Sequence, residues 1–408
     1  MKQSKILNIA LSIALLVTFS IFLYHFNTSD QTVRNISGAV NDIKYEKAEV
    51  LKVISQSLEK SDSLDGLYLG TQDLEVRIQT GEHQGEVRTV KNYLSNYYNV
   101  LAKEGMEIIV NIDSIGAEHS QISVFNYNRA PVLYGFALLF FAAMWGIGGK
   151  KGLLSVLGLI LTFICMIFLY IPMLYKGYSP FWAAVVLVVL STCITLFLLN
   201  GWGPKSISAI LGTTLGVVIA GIAANAAGSL AHISGLNSEE AESLLLIASK
   251  THMQVPELLF SGILIASLGT IMDISISIAS AIQEVHHSNR NLGPNQLFLS
   301  GLNVGHDMMG TMSNTLILAF TGTSLNTLIL IYSYNVSYYQ LMNMNLIGIE
   351  VIQGLSGTLA VILTVPIVAF IASRLIPAMI KSQSLKIVSK GGGSKNLKKK
   401  GDGKRGHK

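Results

Sequence analysis

An aspartate inside an apolar run is the residue of this chain best placed to do chemistry. Asp273 is the one charged residue between Leu258 and Ile282, and a carboxylate at the centre of a membrane helix costs on the order of 2.5–3.5 kcal/mol on insertion scales. Steps of three or four along a helix join Gly262, Ala266, Gly269, Asp273, Ser277, Ser280 and Glu284 into one small and polar stripe. Small side chains admit a neighbouring helix, and hydroxyls beside a carboxylate can line a path for water or a cation. The stripe is expected to face the interior of a helix bundle. Leu264, Leu268, Ile271, Ile274, Ile278 and Ile282 would then meet lipid or apolar neighbours. Two roles stand open for Asp273: a proton or cation site, or an acid that ties helices by hydrogen bonds. No Lys or Arg lies within an apolar run to pair with it.

A second polar group opens the following apolar run, with Asn303, His306, Asp307, Thr311 and Asn314. Asp307, Thr311 and Asn314 share a helical face and could extend the Asp273 path, while Asp307 also suits the cap of a helix start. Met308, Met309 and Met312 beside His306 are soft donors of the kind copper takes, although methionine in such helices chiefly packs. Upstream, Gly212, Gly216, Ala220, Ala223 and Ala227 form a face for close helix packing, with Asn225 as a further polar group for the pathway. Gly354 and Gly357 play the packing part in the last run, on a face with Glu350. His232 and the acids Glu239, Glu240 and Glu242 read as a solvated loop, and His286, His287 and Arg290 as contacts to lipid headgroups. There is no G-x-x-x-x-G-K-[ST] run, no H-E-x-x-H and no G-x-S-x-G, and Cys165 and Cys193 carry no zinc spacing. The expectation is no enzyme, no cofactor and no metal centre.

The elements that position these residues are set by hydropathy. The chain has 408 residues, of which 50% are hydrophobic and 13% charged, with a mean hydropathy of +0.49. A soluble domain carries about 25% charge. Apolar runs recur at Ile6–Phe26, Val132–Ile147, Leu153–Ile171, Phe181–Leu199, Ile207–Ile233, Leu258–Ile282, Met308–Tyr332 and Leu346–Ile371, which gives about eight transmembrane helices. The positive-inside bias puts Lys2, Lys5, Lys150, Lys151, Lys205 and Arg290 in the cytoplasm, together with both termini. Of 29 Lys and Arg, 11 lie between Arg374 and Lys408, so the basic balance speaks for anionic lipid headgroups at the tail and against nucleic acid.

One long hydrophilic segment, Asn27 to Arg129, falls outside, with 10 basic against 15 acidic residues. Alternation in Ala48–Ile54, Leu74–Ile78, Val87–Val90, Glu107–Ile112 and Gln121–Phe125, with glycines between, predicts five strands in a small barrel or sandwich. Tyr93, Tyr97 and Tyr98 suggest one short helix over Val90–Lys103. The fold class expected is an α-helical polytopic membrane protein with a small extracytoplasmic β-rich domain. Its parts are an anchor at 1–26, the β-rich domain at 27–130, a seven-helix membrane domain at 131–376 and a basic tail at 377–408.

The run Gln72-Asp-Leu-Glu-Val-Arg-Ile-Gln-Thr-Gly-Glu-His-Gln-Gly-Glu86, then Val90-Lys-Asn-Tyr93 and Gly269-Thr-Ile-Met-Asp-Ile-Ser-Ile-Ser-Ile-Ala-Ser280, resembles the bacterial YibE/F family over about residues 45–375. That resemblance implies an integral protein of the cell envelope without an assigned activity. In arrangement, an anchor, an exported domain and an outside-to-inside helix with an acid after a glycine are also similar to the resistance-nodulation-division superfamily, including SecD and SecF. The chain departs from it by an extra helical hairpin and a smaller exported domain. Two functions follow as expectations. One is an ion-coupled secondary transporter or permease centred on Asp273. The other is an envelope assembly or export accessory factor whose exported domain binds a protein. The expected partners are the lipid bilayer and either a second copy or another membrane protein.

Overall fold

The computed structural model describes residues 21–28, 43–61, 66–113 and 121–392, with side chains as far as Ser382. The apolar run before Ile21, the linker at 29–42 and the basic tail beyond Gly392 lie outside the described residues. The chain forms two compact units: Gln31–Gly149, and Met1–Asp30 with Lys150–Lys408.

The first unit contains β1 (Ile43–Lys60), β2 (Tyr68–Ile78), β3 (Val87–Leu94), β4 (Glu107–Asp113) and β5 (Gln121–Tyr127). They close into a barrel in the order β1-β2-β3-β5-β4. The long β1 makes closure feasible, because Ile43–Glu49 pairs with β4 while Ala48–Lys60 pairs with β2. Irregularities between Val50 and Lys52 and between Val53 and Ser55 bend it between its two partners. A shared, bent first strand and a parallel β3–β5 contact at Lys91 and Ser123 give the topology of an OB-type barrel.

Alternation fills the interior: Leu74, Val76, Ile78, Val90, Ile108, Val110 and Ile112 are fully buried. The expected helix at Val90–Lys103 does not form. β3 runs through Leu94, and the segment after it lies over the barrel with Val100 and Ala102 buried. A buried amide pair holds it there. Asn92 Nδ2 donates to Gln72 Oε1 (3.0 Å) and to the Val100 carbonyl (2.7 Å), while Gln72 Nε2 donates to the Ala102 carbonyl (3.2 Å). These tertiary bonds outweigh a helix preference carried by a few tyrosines.

Helix α1 (Ala130–Cys165) follows, interrupted at Gly149 by φ/ψ of 53°/−135°, where the units meet in sequence. A π-turn (Met166–Tyr170) and α2 (Ile171–Tyr175) continue it. The second unit then runs through α3 (Pro180–Asn200), α4 (Pro204–Ala231), α5 (Ala241–Ala248), α6 (Leu258–Ser288), α7 (Pro294–Thr323), α8 (Leu325–Ser333), α9 (Tyr338–Met342) and α10 (Asn345–Gly392). Among the described residues five helices are long and apolar enough to cross a membrane, or six if the α7–α8 pair, bent by 62°, is one span. This differs from the expected count for two reasons. The first apolar run lies largely outside the described residues, and Val132–Ile147 and Leu153–Ile171 fall in one interrupted helix, Ala130–Tyr175.

α10 packs against α4, α6 and α7, and α6 also meets α3 and α4. Close approach depends on missing side chains: a methyl at Gly212 would overlap Val368 of α10, and one at Gly305 would overlap Val365. Polar contacts tie the remaining helices, with Thr162 and Ser191 hydroxyls at 2.7 Å and Tyr170 and Ser261 hydroxyls at 2.6 Å.

Candidate functional site

Asp273 stands at the middle of α6, as the apolar run requires. The face it shares is the opposite of the one expected. Ile271, Ile274, Ile278 and Ile282 are fully buried and Leu264 with them, whereas Gly262, Ala266, Gly269, Asp273 and Glu284 are exposed and Ser277 and Ser280 half-buried. The expectation that the stripe points into the bundle is therefore corrected. The isoleucine face of α6 is the one that fills the core against α4, α7 and α10, because branched side chains interdigitate with the glycine faces of those helices: Ile278 lies against Gly305 and Ile282 against Gly301. Gly262 and Gly269 have nothing within 4 Å of where a Cβ would sit. Among the described residues Asp273, Ser277 and Ser280 make no hydrogen bond, and no ion pair reaches Asp273 or Glu284.

α7 repeats the pattern. Gly301, Gly305 and Leu316 are buried, while Asn303, His306, Asp307, Gly310, Thr311 and Asn314 are exposed. Asp307 does not cap a helix: α7 starts at Pro294 behind Gly293, which places Asp307 near its middle. Met308, Met309 and Met312 are half-buried and pack on the core, as the packing role of methionine predicts, while His306 is exposed. Among the described residues no three His, Cys, Asp or Glu side chains form a metal-holding group. Asn225 is exposed on α4, and the structure does not bring it to Asp273 by any hydrogen bond among the described residues. Gly212, Gly216 and Gly357 do serve close packing, against Val368, Thr364 and Leu316 respectively, but Gly354 has open space beside it.

Sequence reasoning missed a set of buried polar atoms. Thr192 of α3, Thr213 of α4 and Ser275 of α6 are fully buried with unpartnered hydroxyls. His286, read from sequence as a headgroup contact, is buried with Nδ1 unpartnered. Single hydroxyls scattered through apolar helices give no periodic signal of their own. Glu350 of α10 lines a cavity of about 430 Å3 with its Oε2 screened and unpartnered.

The model of the YibE/F-like protein family matches residues 136–378, which is more than half of the chain and covers the helical unit with α6 and α7. The chain belongs to the YibE/F-like family. The match leaves the barrel outside, so the family is carried by the helices that hold Asp273, Asp307 and Glu350. No curated protein and no solved structure matches the chain. Family membership together with the apolar helices marks a membrane protein.

Proposed function

We propose that this YibE/F-like protein is an ion-coupled secondary transporter of the bacterial cell membrane in which Asp273 takes up and releases the coupling proton or cation. One observation supports this above the rest. Asp273 lies mid-way along an apolar helix, unpaired among the described residues, in line with Ser277, Ser280 and Glu284. A carboxylate at that depth is costly, and lipid cannot solvate it. An outward Gly-Ala-Gly-Asp-Ser face is suited instead to another helix, so the working form is an oligomer with α6 at the interface. The proposed topology has about eight spans, because the 46 residues of Ala130–Tyr175 amount to about 69 Å of helix, twice the bilayer core, and break at Gly149. Both termini then lie in the cytoplasm and the barrel outside.

Asp273→Asn keeps shape and hydrogen-bonding capacity while removing the charge change. In proteoliposomes of equal protein content, the wild type is expected to dissipate an imposed proton or sodium gradient and Asp273→Asn to lose at least about tenfold of that flux. Ser277→Ala should show a partial loss. Equal flux for wild type and Asp273→Asn would remove the coupling role. It would favour the second reading, an envelope assembly factor, which the exposed Tyr93, Tyr97 and Tyr98 of the barrel support as a protein-binding surface.

A further inference from the structure

The bend between α7 and α8 opens on a chamber whose chemistry fits a ligand. The chamber holds about 430 Å3 and is lined by residues of α7, α8, α9 and the first turns of α10, within the usual size of small-molecule sites. Its wall is apolar except at a few points. Glu350 enters from the second turn of α10, half-buried, and its Oε2 is screened from solvent with no hydrogen-bond partner. Ser324, at the 62° bend, and Thr327 also line the chamber, and among the described residues neither hydroxyl makes a hydrogen bond. The Thr321 hydroxyl is committed to the Ile317 carbonyl at 2.8 Å.

A carboxylate with one oxygen screened in an apolar chamber is stabilised by a cation that enters. A metal ion is a poor match, because hard cations gather six or more oxygens and this wall offers one carboxylate and two free hydroxyls. A cation that carries its own apolar surface matches all of it. Its charge pairs with Glu350, its body meets the aliphatic wall, and the ring of Phe320 adds an aromatic face for the charge. Gly354, one turn beyond Glu350, keeps the chamber open, since nothing lies within 4 Å of where its Cβ would be.

We propose that the chamber between α7, α8, α9 and α10 is a binding site for a monovalent organic cation, held by Glu350. It uses none of the Asp273 stripe and is independent of the coupling role assigned there. The test is equilibrium binding of tetraphenylphosphonium to the full chain in nanodiscs, with tetraphenylborate as an anion of the same shape. Saturable tetraphenylphosphonium binding is expected in the wild type and in Asp273→Asn, with affinity at least about tenfold lower in Glu350→Gln and binding lost in Gly354→Leu. Tetraphenylborate should not compete. Equal affinity of wild type and Glu350→Gln, or equal binding of the anion, would overturn the proposal and leave a lipid-filled apolar cleft. Gly354→Leu, which grows into open space, should keep the wild-type melting temperature, so a loss of binding there reports occupancy of the chamber and not unfolding.

Discussion

At the scale of single residues, the turn between β2 and β3 shows how sequence chemistry becomes local structure. Gly81 has φ of +79°, and a side chain there would run into the Glu46 carboxylate, which accepts from the Glu82 N–H at 3.2 Å. Around this turn Lys44 Nζ donates to Glu82 at 2.6 Å, and Glu86 accepts from Arg88 at 2.7 Å and faces His83 at 3.3 Å. The Lys44 hydrogen bond and charge hold the Glu82 carboxyl below its ordinary value of 4.5, and Arg88, then His83, do the same for Glu86. A carboxyl whose value is lowered on folding adds stability above its unfolded value and gives it up as pH falls through the folded one. Barrel stability is thus expected to drop below about pH 4.5, where these glutamates begin to protonate. Glu82 is exposed and Glu86 half-buried at the surface, so the effect is modest and screened by salt. Thermal melts of wild type and a Glu82→Gln, Glu86→Gln double variant should converge at acid pH and separate near neutrality. A constant gap across the range would show that the pairs contribute nothing. The Gln72–Glu86 run stands out in the sequence, but its role as a charged turn pinned on Glu46 does not, because Glu46 lies far from it along the chain.

At the scale of elements, glycine position decides which helix faces can meet. Gly212 and Gly216 of α4 sit against Val368 and Thr364 of α10, so the two backbones approach where side chains are absent. Gly262 of α6 has the same sequence appearance and touches nothing. Gly212→Leu is expected to destabilise the helical unit strongly, by roughly 1–3 kcal/mol or more, as overpacking does. Gly262→Leu should leave the melting temperature of a detergent-solubilised monomer nearly unchanged. Equal loss in both would mean that the α6 stripe packs inside the bundle after all. The elements themselves were largely legible: five strands appear where alternation placed them, and every apolar run within the described residues is helical. The exceptions have physical causes. Residues 95–102 are held by the buried Gln72 and Asn92 amides instead of forming a helix, and α7 begins at Pro294, ahead of its apolar run, because its amphipathic start packs Leu297 and Gly301 on the core.

At the scale of the whole molecule, the polar faces of α6 and α7, exposed among the described residues, suit a polar neighbour better than lipid. A second copy of the chain is the expected partner for α6. By light scattering in mild detergent, the wild type should exceed the monomer mass of 44.1 kDa, and Ala266→Trp, which adds bulk at an exposed position, should shift it to the monomer without loss of helicity. An unchanged mass for Ala266→Trp would exclude this face from the contact. The sequence by itself determined that the chain is a membrane protein with a separate β-unit, that Asp273 is a costly residue, and that small and bulky faces alternate around α6. Only the tertiary structure decided which of those faces turns inward. Lipid tails are as apolar as isoleucine, so an isoleucine face suits the core or the bilayer equally, and a small-residue stripe signals close approach without naming the neighbour. The choice was made by Gly301 and Gly305, residues distant along the chain that leave room for Ile282 and Ile278.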